Sequence, residues 1–236
     1  MFITDLHTHI VPNVDDGSDS FDMSLEMIRM LYNQGVRNIY CTSHDGYNME
    51  NSDLYQKNFK KLQETAMGIW SDLILHTGNE VLCEADNIKE IIDSLNQKIC
   101  LPLGKSNCVL TELYTDTYVD EADVVVEQLL KNGYKPILAH IERYPALFGS
   151  DIIEKFINKG CLIQINAYSL ADEKDIGIKE RARKLLEKKQ VHFIGSDSHR
   201  LDHRAPEIKN GVYYINCNTD VEYAEEIFYL NAKKYL

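Results

Sequence analysis

The sequence lacks a long apolar run, and it lacks an excess of positive charge. No uninterrupted apolar stretch in its 236 residues approaches the ~20 that a membrane-spanning helix needs, so we expect no membrane insertion. Asp5 and His7 come before the apolar segment of a secretory signal could form, which predicts a cytoplasmic protein. Lys and Arg number 25 against 37 Asp and Glu, a formal charge of −12, and such a field would repel nucleic acid and anionic lipid surfaces.

The six cysteines form no pattern that indicates chemistry. No Cys-x-x-Cys pair occurs, and several cysteines stand inside apolar runs, as Cys41 and Cys161 do. In a reducing compartment such residues behave as small buried hydrophobic side chains. Phosphatases that use a cysteine nucleophile need an Arg six positions after it, and no cysteine of this chain has one. We therefore exclude a thiolate nucleophile of that type.

The remaining composition predicts one α/β domain over residues 1–236, because 44% of the residues are hydrophobic and no stretch resembles a linker. Short β-rich runs alternate with longer amphipathic ones, the pattern of a parallel sheet with crossover helices. The predicted strands are Phe2–His7, Val36–Thr42, Leu73–Gly78, Cys108–Leu113, Lys135–Ala139, Cys161–Asn166 and Val191–Gly195. The predicted helices are Asp22–Gln34, Asp53–Ile69, Asp86–Leu95, Asp120–Asn132, Asp151–Lys159 and Ile178–Lys189.

Glycines and the C-terminal region complete this outline. Gly35, Gly133 and Gly160 directly follow three of the predicted helices, where a left-handed residue commonly ends a helix. Gly211–Cys217 is expected to be extended, and Val221–Lys234 is expected to form a closing helix.

Polar residues that can bind metal stand at the ends of almost all the predicted strands. They are His7, His9, His44, Glu80, Glu112, His140, Asp197 and His199. In a barrel of parallel strands the carboxyl ends converge on one face, where the active sites of such barrels lie. Any one of these residues alone is more simply a loop residue or a helix cap, but their common position predicts a single site. His76 and His192 fall inside predicted strands and His203 in a loop, so we leave these three out.

The motifs around these residues resemble the PHP superfamily, which contains polymerase and histidinol phosphatase domains. Asp-Leu-His-Thr-His at residues 5 to 9 is typical of the whole superfamily. Asp15-Asp16-Gly17, the run Ala139–Tyr144 and the late Arg204-x-Pro206 are specific to the bacterial capsule-type tyrosine phosphatases within it. Further matches lie at Thr42–His44, Gly78–Glu80, Thr111-Glu112, Gln164–Ala167 and His192–His199.

The resemblance implies a fold and a set of metal ligands. The implied fold is a distorted (β/α)7 TIM-like barrel of the PHP type with three divalent metal ions. By correspondence, His7, His9, Glu80 and Asp197 would hold one metal, Glu80, Glu112 and His140 a second, and Asp16, His44 and His199 a third. The chain departs from the family where Ser43 replaces Pro, and where Asp45 replaces a frequent second His. Asp45 adds a carboxylate near the third metal.

The chemistry of this ligand set narrows the choice of cation. Imidazoles and carboxylates without a thiolate suit Mn²⁺, Fe²⁺ or Zn²⁺ better than a soft metal, and are too rich in nitrogen for Ca²⁺. We expect Mn²⁺, with Fe²⁺ and Zn²⁺ as alternatives. The family uses two arginines, here Arg143 and Arg204, to bind phosphate, and a guanidinium fork matches two phosphate oxygens.

The resemblance therefore implies a metal-dependent protein-tyrosine phosphatase that hydrolyses phosphotyrosine with a metal-activated hydroxide. The expected partner is a phosphotyrosine protein, in particular the tyrosine-rich tail of a kinase that regulates capsular or exopolysaccharide synthesis. Two alternatives stay open. One is a histidinol-phosphate phosphatase or another phosphoesterase of the superfamily. The other is a catalytically silent regulatory barrel, which the complete ligand set disfavours.

Overall fold

The computed structural model describes residues 2–44, 49–149 and 151–236, and within them strands and helices alternate as an α/β protein should. Eight strands are described: β1 (Ile3–Thr8), β2 (Val36–Cys41), β3 (Ile74–Thr77), β4 (Glu80–Leu82), β5 (Cys108–Glu112), β6 (Lys135–Leu138), β7 (Leu162–Asn166) and β8 (Phe193–Gly195). The helices are α1 (Phe21–Asn33), α2 (Met49–Ile69), α3 (Ile88–Asn96), α4 (Val119–Lys131), α5 (Ile152–Lys159), α6 (Ile176–Glu187), α7 (Lys209–Asn218), α8 (Val221–Glu225) and α9 (Asn231–Tyr235). None of these helices is both long and apolar enough to span a bilayer.

The strands form two parallel sheets. One has the order β1-β2-β3 and the other the order β4-β5-β6-β7-β8. Single bridges connect the two sheets, one between Thr8 and Ser198 and the other between His44, which follows the central strand β2, and Glu80. This mixed α/β architecture with parallel sheets agrees with the expected class.

A buried apolar cluster lies between the strands and is separate from the larger core beneath the helices. It takes side chains from six different strands, namely Leu6, Tyr40, Leu110, Ile137, Leu162 and Phe193, together with neighbouring residues. Tyr235 and Leu236, at the end of α9, pack against it. Strands β1 and β7 are buried on both faces and therefore have no exposed position.

The predicted third strand, Leu73–Gly78, is present as β3, but the structure adds a short strand that was not predicted, β4, directly after it. The chain bends after β3 at Gly78 and Asn79, so that β3 pairs with β2 while β4 pairs with β5. A Cβ atom at Gly78 would lie 2.6 Å from Leu103 Cδ2, so any larger residue at this bend would require the Leu103 side chain to shift. Glu80 thus begins a strand instead of following one.

The C-terminal region differs from expectation at one element. Residues 211–217 were predicted to be extended, but they lie inside α7 (Lys209–Asn218). The run of valine, tyrosine and isoleucine there favours a strand, yet Gly211 packs so closely on the backbone of Ala167 that its Cβ would lie 2.4 Å from the Ala167 oxygen. Tertiary packing therefore overrides local preference. The predicted closing helix is present as α8 and α9, joined by a π-helical turn at Glu226–Leu230.

The expected helix ends are confirmed. Gly35, Gly133 and Gly160 have φ angles of 97°, 83° and 107°, in the left-handed region that favours glycine. Each of these helices ends there, and the next strand starts within two residues.

Candidate metal centre

The predicted ligand residues lie together at one end of the strands. His7 is in β1 and His9 just beyond it, while Glu112 ends β5 and His140 follows β6. The remaining members are Asp16, His44, Glu80, Asp197 and His199. All nine belong to groups whose ligand atoms lie within 4.8 Å of one another.

The first group surrounds the imidazole of His7. His7 Nε2 lies 3.0 Å from Glu80 Oε2 and 3.5 Å from Asp197 Oδ1. His9 Nε2 lies 3.2 Å from the same Glu80 oxygen and 3.1 Å from His7 Nε2. The four side chains are almost fully buried. The short distance between the two Nε2 atoms shows that His7 and His9 point the same way, as alternation along β1 predicts.

The second group shares Glu80 with the first. His140 Nε2 lies 2.8 Å from Glu80 Oε1 and 3.6 Å from Glu112 Oε1. Burial, followed by the charge of Glu80, raises the pKa of Glu112 to about 7. A divalent cation between these carboxylates would offset their mutual repulsion.

The third group is the most exposed. Asp16 Oδ1 lies 3.6 Å from His199 Nε2 and 3.7 Å from His44 Nε2. His9 also belongs to this group, stacked on His199 with the ring centres 3.8 Å apart. The side chain of Asp16 is 70% exposed, so this part of the site opens to solvent.

Hydrogen bonds at the far side of the imidazoles orient their lone pairs into the cluster. His9 Nδ1 lies 2.7 Å from Asp15 Oδ2, and His199 Nδ1 lies 2.9 Å from the carbonyl oxygen of Asp197. Both partners only accept, so Nδ1 keeps its proton, and when the ring is neutral it is Nε2 that presents a lone pair to the cluster. Lone pairs of neutral imidazoles that face carboxylate oxygens at 3–4 Å are the donor set of a divalent cation, with the supporting contacts that metal sites have. The residues present fit such metals.

The charges of the cluster agree with this interpretation. Burial would lower the pKa of His9, but the Asp15 and Glu80 carboxylates outweigh it and hold that pKa well above its usual value. Burial would likewise raise the pKa of Glu80, but the His7 charge and the His140 hydrogen bond keep it well below its usual value. The carboxylates thus favour positive charge beside His9, whereas burial lowers the pKa of His44, His140 and His199.

The two predicted arginines lie at the rim of the cluster. Arg143 Nη1 and Arg204 Nη1 lie 3.7 Å and 3.5 Å from Asp197 Oδ2. About a quarter of the Arg143 side chain and a third of the Arg204 side chain are exposed. Both guanidinium groups can therefore meet a ligand that arrives from solvent.

Three of the six non-glycine residues with a positive φ angle in the described part of the chain belong to this site. His140, Asp197 and Arg204 have φ angles of 30°, 52° and 48°, in the left-handed region that non-glycine residues seldom adopt. Such conformations persist only where the surrounding structure enforces them, and they are frequent at functional sites.

Sequence reasoning missed the residues that support the ligands. Asp15 accepts from the His44 backbone N–H as well as from His9. Gln164 accepts from the His140 backbone N–H at 2.7 Å, and Asn166 donates to Asp197 Oδ2 at 2.9 Å. Tyr144 lies with its hydroxyl 3.1 Å from His140 Nδ1. The available signal was a pair of amides at alternate positions of the otherwise apolar β7.

The other residues singled out in the sequence lie outside the cluster or outside the described part of the chain. Asp45 lies outside the described residues. Ser43 is buried, and its hydroxyl has no hydrogen-bond partner. The three histidines left out stand apart, with His76 in β3, His192 just before β8 and His203 in a loop. Five cysteines are buried and only Cys217 is exposed, so among the described residues the chain offers no cluster of thiol ligands.

Comparison with known proteins gives consistent matches over the whole chain. The sequence matches the model of a family described as capsular polysaccharide synthesis, CpsB/CapC, over residues 3–236. It is 32% identical over 240 residues to the tyrosine-protein phosphatase CpsB of Streptococcus pneumoniae, covering 98% of this chain and 97% of that protein. The tyrosine-protein phosphatase YwqE of Bacillus subtilis (strain 168) is 27% identical over 234 residues, 96% of this chain and 87% of YwqE.

A solved structure is also similar to this chain. It comes from the crystal structures of YwqE from Bacillus subtilis and CpsB from Streptococcus pneumoniae, described as unique metal-dependent tyrosine phosphatases. The TM-score is 0.82 at 25% identity, and the match covers 94% of this chain and 90% of the other.

Proposed function

This chain belongs to the CpsB/CapC family of capsular polysaccharide synthesis, and we propose that it is a metal-dependent tyrosine-protein phosphatase. The observation that carries the proposal is the convergence of nine metal-binding side chains beside two arginines. Relatives named tyrosine-protein phosphatases align over nearly the whole chain, which supports the same activity for this protein.

The proposed centre binds three divalent cations, with Mn²⁺ expected and Fe²⁺ or Zn²⁺ as alternatives. By correspondence with the family, the first would be held by His7, His9, Glu80 and Asp197, the second by Glu80, Glu112 and His140, and the third by Asp16, His44 and His199. The structure also brings His140 beside His7 and Glu80, and Glu112 beside His44 and Glu80. When bound, such cations lower the pKa of a water molecule enough to provide hydroxide at neutral pH, and they neutralise charge on phosphoryl oxygens.

Arg143 and Arg204 are the proposed phosphate-binding residues. Their guanidinium groups flank Asp197 Oδ2 from the open side of the site, where each can donate to a phosphoryl oxygen. They bring two positive charges to an acidic protein, whose net charge of −12 would otherwise repel a phosphate monoester.

The preference for phosphotyrosine follows in part from its leaving group. A phenol has a pKa of about 10, so the tyrosinate can leave without a strong general acid, whereas an alkoxide is far more basic. Burial, followed by the charge of Asp197, raises the pKa of Tyr168, which makes its hydroxyl a poor proton donor to a leaving group. This favours an aryl phosphate over histidinol phosphate.

The finer architecture that we propose is one distorted (β/α)7 barrel that comprises the single domain 1–236. Three observations support it. The apolar cluster takes side chains from six strands, bridges connect the two sheets, and β3 and β4 act as one bent strand. The metal centre would then lie at the carboxyl end of the barrel.

The proposed substrate is a phosphotyrosine protein in the cytoplasm, namely the tyrosine-rich tail of an exopolysaccharide tyrosine kinase. The family description, capsular polysaccharide synthesis, and the phosphatase relatives support a substrate of this kind. The more exposed third group leaves room for a flexible peptide to approach.

Substrate choice tests the proposal. The protein with added Mn²⁺ should hydrolyse a phosphotyrosine peptide with a higher kcat/KM than histidinol phosphate. A chelator should abolish the activity and Mn²⁺ should restore it, whereas alkylation of the exposed Cys217 should leave it unchanged. A preference for histidinol phosphate would favour the other phosphatase, and no hydrolysis of either compound would indicate a silent barrel.

A further inference from the structure

Strand β7 supplies none of the nine proposed metal ligands, yet its carboxyl end faces the same site. Asn166, its last residue, lies in a fully determined hydrogen-bond arrangement. Its Oδ1 accepts from Gln164 Nε2 at 3.0 Å, while its Nδ2 donates to Asp197 Oδ2 at 2.9 Å. The second proton of Nδ2 points to the hydroxyl oxygen of Tyr168, 3.2 Å away.

This arrangement shows that the Tyr168 hydroxyl accepts a hydrogen bond from Asn166 and does not donate one to it. Because the amide nitrogen only donates, the phenolic oxygen of Tyr168 accepts from it, and the hydroxyl proton of Tyr168 points elsewhere. The described residues provide no acceptor for that proton. Arg143 interacts electrostatically with Tyr168, but a guanidinium only donates hydrogen bonds.

The position of Tyr168 indicates what could accept this proton. Asn166, Arg143 and Arg204 all contact the same oxygen of Asp197. Because Tyr168 is hydrogen-bonded to Asn166, it lies on the same side of Asp197 as the two arginines. Its ring is only partly buried, which leaves the hydroxyl within reach of a ligand. A group that both arginines bind must present oxygen atoms that accept hydrogen bonds.

We propose that Tyr168 is a third phosphate-binding residue, whose hydroxyl donates a hydrogen bond to a phosphoryl oxygen held by Arg143. This inference rests on the proposed phosphatase function and extends it to a residue outside the metal and arginine sets. No proton is transferred, since a phenol stays protonated at neutral pH. A fixed neutral donor stabilises charge that grows on the phosphoryl group during reaction.

The test replaces Tyr168 by Phe, which keeps the ring and removes only the hydroxyl. With metal content at the wild-type level, kcat/KM should fall about tenfold to a hundredfold. The loss should be the same for p-nitrophenyl phosphate, phenyl phosphate and a phosphotyrosine peptide, because the contact is to the phosphoryl group. The dissociation constant of inorganic phosphate, measured by calorimetry on the metal-loaded protein, should rise about tenfold.

Controls separate this inference from the function on which it rests. Tyr213→Phe removes an exposed hydroxyl in α7 and should change none of these values. An inactive wild-type protein would refute the phosphatase proposal itself. An active wild type with unchanged phosphate affinity in Tyr168→Phe would overturn only the role of Tyr168. Loss of metal, or a loss that grows with the basicity of the leaving group, would also overturn it, since either places the hydroxyl away from the phosphoryl oxygens.

Discussion

The two carboxylate oxygens of Glu80 have different neighbours. Oε1 lies 2.8 Å from His140, whereas Oε2 lies 3.0 Å from His7 and 3.2 Å from His9. Glu80 is also buried and stands at the first position of β4, where its backbone N–H donates to Thr42. Each oxygen of this carboxylate contacts different imidazoles. Glu80 is therefore suited to bridge two cations.

Replacing Glu80 by Ala should therefore lower the metal content by more than one equivalent and nearly abolish turnover, because two groups lose a shared negative charge. The measurement is elemental analysis of the purified variant together with a phosphatase assay. His203→Ala, in a loop outside the cluster, is the matched control and should keep its full metal content. Equal metal content in the wild type and Glu80→Ala would contradict the bridging role.

Arg204 differs from Glu80 in carrying a positive charge beside the ligands. Arg204→Ala should keep the metal content, since removal of a cation from beside Asp197 and His199 does not weaken their hold on metal. The expected cost is about 2–4 kcal/mol in kcat/KM for any phosphate monoester. Lys should recover only part of the loss, because a single ammonium cannot reproduce the guanidinium fork. Normal hydrolysis of p-nitrophenyl phosphate with impaired action on protein substrates would instead make Arg204 a docking residue.

At the scale of the elements, the approach of β8 to β1 sets the distance between Asp197 and His7. The Asp197 backbone N–H donates to the His7 carbonyl oxygen at 2.8 Å. Gly195 makes this approach possible, because a Cβ at that position would lie 2.5 Å from His7 Cβ. The glycine is therefore needed for close contact between strands and not for an unusual φ angle.

Gly195→Ala should separate β8 from β1 and displace His7 from its partners. We expect reduced metal affinity, loss of most activity and a lower melting temperature, measured by metal titration, assay and thermal unfolding. Gly68→Ala is the matched control, since nothing lies within 4 Å of its added Cβ in α2. That control should be more stable by about 0.5–1 kcal/mol, because Ala is the better helix former. Normal metal affinity in Gly195→Ala would show that the strands tolerate the methyl group.

At the scale of the whole molecule, His192, which lies just before β8, connects the C-terminal helix α9 to the sheet by hydrogen bonds. Its carbonyl oxygen accepts from Asn231 Nδ2 at 3.0 Å, and its Nδ1 accepts from the Ile163 backbone N–H at 3.2 Å. Burial, with little compensation from nearby groups, lowers the pKa of His192 to about 4 from a usual value of 6.5. Protonation would both charge a buried ring and remove an acceptor.

This shift predicts a dependence of stability on pH. Between pH 4 and 6.5 the unfolded chain binds the His192 proton and the folded protein does not, so the free energy of unfolding rises with pH in that window. The stability is fully present above pH 6.5 and is lost as the pH falls, at up to about 1.4 kcal/mol per pH unit. His192→Asn keeps an acceptor but cannot titrate, so its denaturant unfolding should depend less steeply on pH than that of the wild type. His203→Asn should behave as the wild type, and equal slopes for all three proteins would contradict the prediction.

Apart from Asp16, which only the family resemblance indicated, the sequence alone determined the side chains that meet in the cluster, the glycines that end helices and most of the order of strands and helices. These depend on local chemistry: hydrophobic periodicity, left-handed φ angles and the alternation that directs His7 and His9 the same way. Tertiary structure alone decided the break between β3 and β4, the helical state of residues 211–217 and the support of the cluster by Asp15 and Asn166. Those features depend on contacts that exist only in the folded chain, such as that of Gly78 with Leu103.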